Sequence, residues 1–293
     1  MVQGELVVAV APPAAVRRGV VASLLRNRRV VVGALLVLAT LLAAVVGPHL
    51  LPYDPHRPQV LARLAPPSLE HWMGTDRLGR DVLSRILAGL GLTMQVAVGA
   101  VVFAVVIGVP LGALAGYLGR AFDAVVMRLM DAVITFPSRL LAIALVAAAG
   151  PNILSLWFAI GFHSIPRYAR IIRGGVLSQK EREYVEAARA TGESRLAILW
   201  RHILPNAWAP VVVQLSLDFA HAIVAEAGLS FLGLGLATPA ISLGQMLNEA
   251  QSYLESAPWT AFFPGLVLSL VILGFTLVGD GLRDVLDPRQ GPR

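Results

Sequence analysis

The hydrophobic pattern of the chain is one of long uncharged runs separated by short charged ones. No Asp, Glu, Lys or Arg occurs across Val30–Tyr53, Ile86–Gly119, Leu140–Pro166, Ala227–Asn248 or Ser256–Gly279. A bilayer core of about 30 Å is crossed by roughly 20 apolar residues in a helix, so each run has the length of a membrane span. The first is apolar to Val46 and then broken by Pro48 and Pro52. The third is too long for one span and too short for two. Its first half extends back through Phe122–Pro137 and its second half forward to Ile172, with Gly150-Pro151-Asn152 as a tight turn between them. Trp208–Leu236 is apolar apart from Asp218, His221 and Glu226, which reads as a helix with a polar stripe. The expected fold is all-α, a polytopic membrane protein with six transmembrane helices near 30–51, 90–118, 123–149, 152–172, 208–234 and 260–281.

Composition agrees with the pattern. Of 293 residues, 56% are hydrophobic and 14% charged, against about 25% charged in a soluble domain. A soluble enzyme and a disordered chain are both disfavoured. The net charge is +6 and nearly all of the basic residues are Arg; Lys180 is the one Lys. In a membrane protein this excess sets orientation rather than marking a nucleic-acid surface. Arg17, Arg18, Arg26, Arg28 and Arg29 precede the first span, and Arg173, Lys180, Arg182, Arg189, Arg195 and Arg201 cluster between the fourth and fifth. Both regions are expected in the cytoplasm, with both termini there and residues 52–88 outside. The first span begins late and lacks a small-x-small site before Pro48, so it reads as an uncleaved helix. The chain divides into a tail at 1–29, a first helix and external loop at 30–89, a transmembrane domain at 90–282 and a tail at 283–293.

Several chemistries are missing. Without cysteine there is no disulfide, thiolate metal site or cysteine nucleophile. A phosphate-cradling loop needs Gly-x-x-x-x-Gly-Lys-Ser/Thr, but Lys180 follows Gln179. The six His residues show no ligand spacing, and no catalytic set assembles, which argues against an integral membrane enzyme. No cofactor or metal is expected in this chain. If it drives transport, another chain hydrolyses the nucleotide.

The segment 181–206 is informative. Glu183–Ala190 favours helix, Gly192 permits a positive-φ turn, and Ser194 can cap a second helix running through Leu196, Ile198, Leu199 and Trp200. Pro205 is expected to stop that helix. A helix–turn–helix with an apolar face, projecting between two spans, invites a partner protein.

These residues resemble a family. Glu186-Ala187-Ala188, then Gly192, then Leu204-Pro205 match the EAA loop of ABC importer permeases. His202 stands where the general pattern has Ile, and the run RHILPN is similar to the peptide-type subfamily. HWMGTDRLGRDVLSRILAG at 71–89, MDAVITFPSRLLAIALVAAAGPN at 130–152 and EAGLSFLGLGLATPAISLGQML at 226–247 resemble dipeptide/oligopeptide permeases of the C type. The resemblance spans residues 20–287. It implies a type I ABC importer permease fold in the cytoplasmic (inner) membrane. It also implies a second permease subunit, two ATPase subunits holding ATP and Mg, an extracytoplasmic substrate-binding protein and a peptide substrate. Glu186, Ala187, Ala188, Gly192, Leu204 and Pro205 would then couple to the ATPase. Nickel and glutathione are alternative substrates within the resemblance.

Other residues carry two readings. Gly108, Gly112 and Gly116 form a small-residue stripe, for packing within the chain or against a partner. Asp218, His221 and Glu226 are expected to line a translocation path, or else to make interhelical hydrogen bonds. In an ion-coupled secondary transporter they would form a proton relay. Asp76/Arg80 and Arg77/Asp81 have helical i,i+4 spacing, for loop self-structure or for docking a binding protein. Residues 245–256 read as a polar external stretch, meeting that protein or lying at the membrane surface. Arg139 would either snorkel or, if the helix bends at Pro137, pair with Asp131.

Overall fold

The computed structural model describes residues 23–51 and 53–286. The expected tails up to residue 22 and beyond residue 286, and the break at Pro52, lie outside them. Among the described residues there are no strands, only an isolated bridge between Thr75 and Asp81.

Helix α1 is Arg28–Val46, capped by the Asn27 side chain, which accepts from the Arg29 amide at 3.0 Å. Helix α2, Val82–Leu118, has 37 residues, about 55 Å at 1.5 Å per residue. It starts eight residues before the expected 90, because Asp81 caps it by accepting from the Ser84 amide at 2.8 Å and Arg85 is buried in an ion network. Helices α3 (Arg120–Thr135) and α4 (Ser138–Ala149) replace the expected third span; they are bent by 89°. Pro137 disfavours helical geometry at the residue before it, and Phe136 is extended there, at φ −81° and ψ 133°.

The expected fourth span is divided too, into α5 (Ile153–Phe162) and α6 (Ile165–Gln179). Ten residues make α5 about 15 Å long, half a bilayer core. The segment beyond holds α7 (Glu183–Ala190) and a second helical run, α8, made of Arg195–Ala197, a π-helical stretch Ile198–Ile203 and Leu204–Asn206. Helix α9 is Ala209–Phe231, α10 is Leu243–Ala250 and α11 is Trp259–Leu286, entering the region expected as a tail at 283. Four described helices are long and apolar enough to cross a membrane unbroken, Arg28–His49, α2, α9 and α11, or five if the bent pair α3/α4 is one span. The expected six thus resolve into fewer continuous ones.

Helix α2 is the spine. Its second half runs parallel to α6, because Gly108, Gly112 and Gly116 face Ile165, Ala169 and Arg173 in turn. The small-residue stripe is packed within the chain. Helix α1 lies antiparallel on α11, with Gly33 against Leu277 and Gly274 against Leu36, and Arg29 reaches Asp284 at 3.3 Å. Helix α9 crosses α2 between two apolar clusters. One gathers Ile86, Leu90 and Val96 with Ile223, Leu229 and Leu243. The other gathers Val109 and Ala113 with Tyr168, Ile172, Val185, Ile198, Leu199 and Ile203.

At the N-terminal end of α2 a charge network anchors the preceding loop. Asp76 accepts from the Leu78 and Arg80 amides at 2.8 and 3.0 Å and from Arg80 Nε at 2.7 Å. Arg80 and Arg85 both donate to Glu249 Oε2, at 2.9 and 3.1 Å. Asp76/Arg80 pairs across a turn rather than along a helix. Arg77/Asp81 does not form, because Asp81 caps α2 and meets His71 Nδ1 at 2.9 Å. Of residues 245–256, expected as a polar external stretch, the first six belong to the helix Leu243–Ala250, which carries Glu249 into this network.

Candidate functional site

Midway along the bundle is a cavity of about 560 Å³ bounded by α2, α4, α5, α6 and α9. That is within the usual range for small-molecule sites. Its charged and polar lining includes Arg139, His163, Arg167, Asp218 and His221. Pro166 fits the first turn of α6, where its missing N–H is not needed, and the next residue, Arg167, reaches Asp218 on α9. Asp218 is 2% exposed. Its Oδ1 accepts from Arg167 and from Gln214 Nε2 at 3.0 Å, and His221 Nδ1 stands 3.6 Å away, too far for a hydrogen bond. Asp218 Oδ2, the Tyr168 hydroxyl and His163 Nδ1 are buried without a hydrogen-bond partner. Buried polar atoms are ordinarily satisfied; the Asp218 and His163 atoms belong to residues of the cavity lining, whereas the Tyr168 hydroxyl stands beside Asp218 in the core.

Helix α6 leads from this cavity to the α7–α8 segment. Lys180, just past its end, reaches the Gly116 carbonyl at 3.5 Å, back on α2. Gly192 turns the chain at φ +80° with open space around its α-carbon. Ser194 Oγ accepts from the Ala197 amide at 3.3 Å, and Glu193 Oε2 lies 2.7 Å from His202 Nε2. The helical run ends at Asn206, one residue past Pro205. Proline lacks the N–H that would bond the Arg201 carbonyl and its ring crowds that group; the π-helical turn just before it takes up the misfit. The expected apolar face is divided: Ile198, Leu199 and Ile203 are buried in the chain's own second cluster, while Leu196 and Trp200 stay exposed. Glu186, Ala187, Gly192 and Pro205 are exposed, and Ala188 and Leu204 half-buried.

A profile for binding-protein-dependent transport system inner membrane components matches residues 108–291. The chain belongs to that family. Residues 17–67 match the N-terminal transmembrane domain of oligopeptide transport permease C. Among relatives of this inner membrane component, the dipeptide transport system permease protein DppC of Alkalihalophilus pseudofirmus is 42% identical over 265 residues, 90% of this chain and 87% of the relative. The glutathione transport system permease protein GsiD of Pectobacterium atrosepticum is 42% identical over 266 residues, 90% of this chain and 88% of that one. The MetNI methionine ABC transporter, solved in inward-facing conformations, aligns with a TM-score of 0.55 at 18% identity, covering 68% of this chain and 95% of that chain. This likeness concerns the fold, that of a type I ABC importer permease.

Within this inner membrane component the expected polar stripe splits. Asp218 and His221 line the cavity, but Glu226 does not. Eight residues at about 100° each turn it some 80° away from Asp218. It faces α2 instead, 1% exposed, accepting from Thr93 Oγ1 at 3.1 Å and Ser230 Oγ at 2.7 Å. Arg139 does not meet Asp131, which pairs with Arg170 at 2.5 Å; the bend at Pro137 carries Arg139 to the cavity instead. Arg167 and His163 were not among the sequence candidates. Arg167 falls inside the expected span 152–172, and an intramembrane Arg calls for a buried acidic partner, which was the available signal.

Proposed function

We propose that the chain is the translocating permease subunit of an ATP-driven importer of short peptides. The observation that carries the reading is the course of α6. Its first turn holds Arg167 on the central cavity, its last leads into the exposed α7–α8 segment, and the glycine stripe of α2 holds it along much of its length. A push on that segment is therefore delivered to the cavity wall. ATP and Mg would be held by two ATPase subunits, which meet the segment through Glu186, Ala187, Ala188, Gly192, Leu204 and Pro205. Closure of the ATPases would rock α6 against α9 and open the cavity outward, and hydrolysis would reset it.

The orientation follows from the arginines: the α7–α8 end and both termini face the cytoplasm, and the Asp76/Arg80/Glu249 end faces outward towards a substrate-binding protein. Residues 1–29 and 283–293 would flank the membrane part, with the first helix and outer loop at 30–89 preceding the 90–282 domain and its 181–206 coupling loop. The cavity rim carries Val224, Phe231 and Leu232, which are exposed; a second permease subunit would cover them. The dipeptide and glutathione permeases among the relatives both support short peptides as the substrate class.

The test is reconstitution of the co-purified assembly in vesicles. ATP- and binding-protein-dependent accumulation of a labelled dipeptide is expected. Uptake driven by an ion gradient without ATP would overturn the reading.

A further inference from the structure

The mechanism above uses the cavity as a passage, but its charges say more. Among the described residues, Asp218 is its one acidic lining residue, set against two guanidinium groups, Arg139 and Arg167. Arg167 is paired with Asp218, and its side chain is 39% exposed, so it has room to leave. Arg139 has no acidic partner among the described residues. Asp218 Oδ2 makes no ion pair and has only the Tyr168 hydroxyl beside it, so the carboxylate has acceptor capacity to spare. The resting cavity therefore carries one satisfied ion pair, one free cation and one open acceptor.

We infer that this cavity binds a small zwitterion by ion-pair exchange: the ligand's primary ammonium replaces Arg167 on Asp218, and the released Arg167, with Arg139, takes its carboxylate. The inference rests on the reading of the cavity as the substrate path. Removing Arg167 from a buried carboxylate with nothing in its place leaves an uncompensated charge, which is strongly unfavourable. A ligand with only a carboxylate cannot replace Arg167 on Asp218. A ligand with only an ammonium frees Arg167 but leaves it without an anion. A ligand with both ends ionised satisfies every group, and charge-assisted contacts to a planar guanidinium are the strong kind. Exchange also breaks the Arg167–Asp218 link between α6 and α9, while the glycine stripe keeps α6 seated on α2. The permease itself would then select for peptides with both termini free.

The experiment uses the assembled transporter in nanodiscs without its binding protein. Equilibrium binding of labelled alanyl-alanine is measured beside N-acetyl-alanyl-alanine and alanyl-alanine amide. Alanyl-alanine is expected to bind saturably and each capped form at least about tenfold more weakly, the scale of one charge-assisted contact. Asp218→Asn should abolish the penalty for the acetyl cap. Arg139→Gln, at an exposed position, should reduce the penalty for the amide cap and serves if the Asn variant fails to assemble. Equal binding of capped and free forms, or no saturable binding to an assembly that transports alanyl-alanine, overturns the inference and leaves the transport reading standing. An assembly that binds alanyl-alanine as described but does not move it with ATP and binding protein overturns the transport reading instead.

Discussion

Gly112 of α2 and Ala169 of α6 touch backbone to backbone: a Cβ placed on Gly112 would lie 2.1 Å from the Ala169 carbonyl oxygen. Neither helix can yield without moving the whole stripe, so the contact fixes the spacing of spine and cavity wall. Gly112→Ala is expected to destabilise the protein by about 1–3 kcal/mol, the usual range for overpacking. Gly174→Ala, on the open face of α6 with nothing within 4 Å, is expected to be neutral or mildly stabilising, because Ala favours helix. Thermal unfolding of both variants in detergent checks the contrast; equal melting temperatures would remove the close approach from the account.

The anchor at the other end of α2 gives a second expectation. Arg85 is 1% exposed and donates to Glu249 at 3.1 Å, with Asp76 3.5 Å away. Glu249→Leu strips a buried guanidinium of one of its two acids and should cost about 3 kcal/mol. The 53–81 loop should become more sensitive to protease in the same variant. Glu255→Ala, on an exposed neighbour, should leave both readouts unchanged.

Across the turn between α7 and α8, Glu193 and His202 bind at 2.7 Å with their side chains 24% and 39% exposed. A partly exposed pair contributes up to about 1 kcal/mol, so Glu193→Ala should lower transport by no more than about fivefold, with insertion unaffected. Uptake assays against expression level test this; a complete loss would mean that Glu193 has a contact on the partner as well.

Much of this was legible in the residues because bilayer physics is blunt. The uncharged runs located α1, α2 and α11, and the apolar stretch 208–236 located α9 despite its charges, since spans are set by length and apolarity. The same rule hid the start of α2, because Arg85 looked like a boundary while Glu249, far along the chain, allows it to be buried. It also hid Arg167, read as a charge that ends a run rather than as half of an ion pair. The Gly192 turn and Ser194 cap were visible because single residues decide them. The π-helical turn before Pro205 was not, since a proline announces a broken hydrogen bond but not how its neighbours absorb it. Glu226 stands roughly two turns beyond Asp218 and so reads as sharing its face, whereas eight residues overshoot two turns by about 80°.

The central claim is that the α7–α8 segment drives the cavity helix, and Gly192 tests it most directly. Its φ of +80° is strained for any side chain, most of all a β-branched one, yet no neighbour lies within 4 Å of where a Cβ would be. Gly192→Val therefore alters the turn without disturbing the core. The decisive measurement is peptide uptake, with ATP hydrolysis followed alongside, in vesicles carrying the assembled variant. The account predicts normal membrane insertion, at least about a tenfold loss of uptake, equivalent to 1.4 kcal/mol of lost coupling, and loss of binding-protein-stimulated hydrolysis. Wild-type uptake and stimulation in that variant would contradict it.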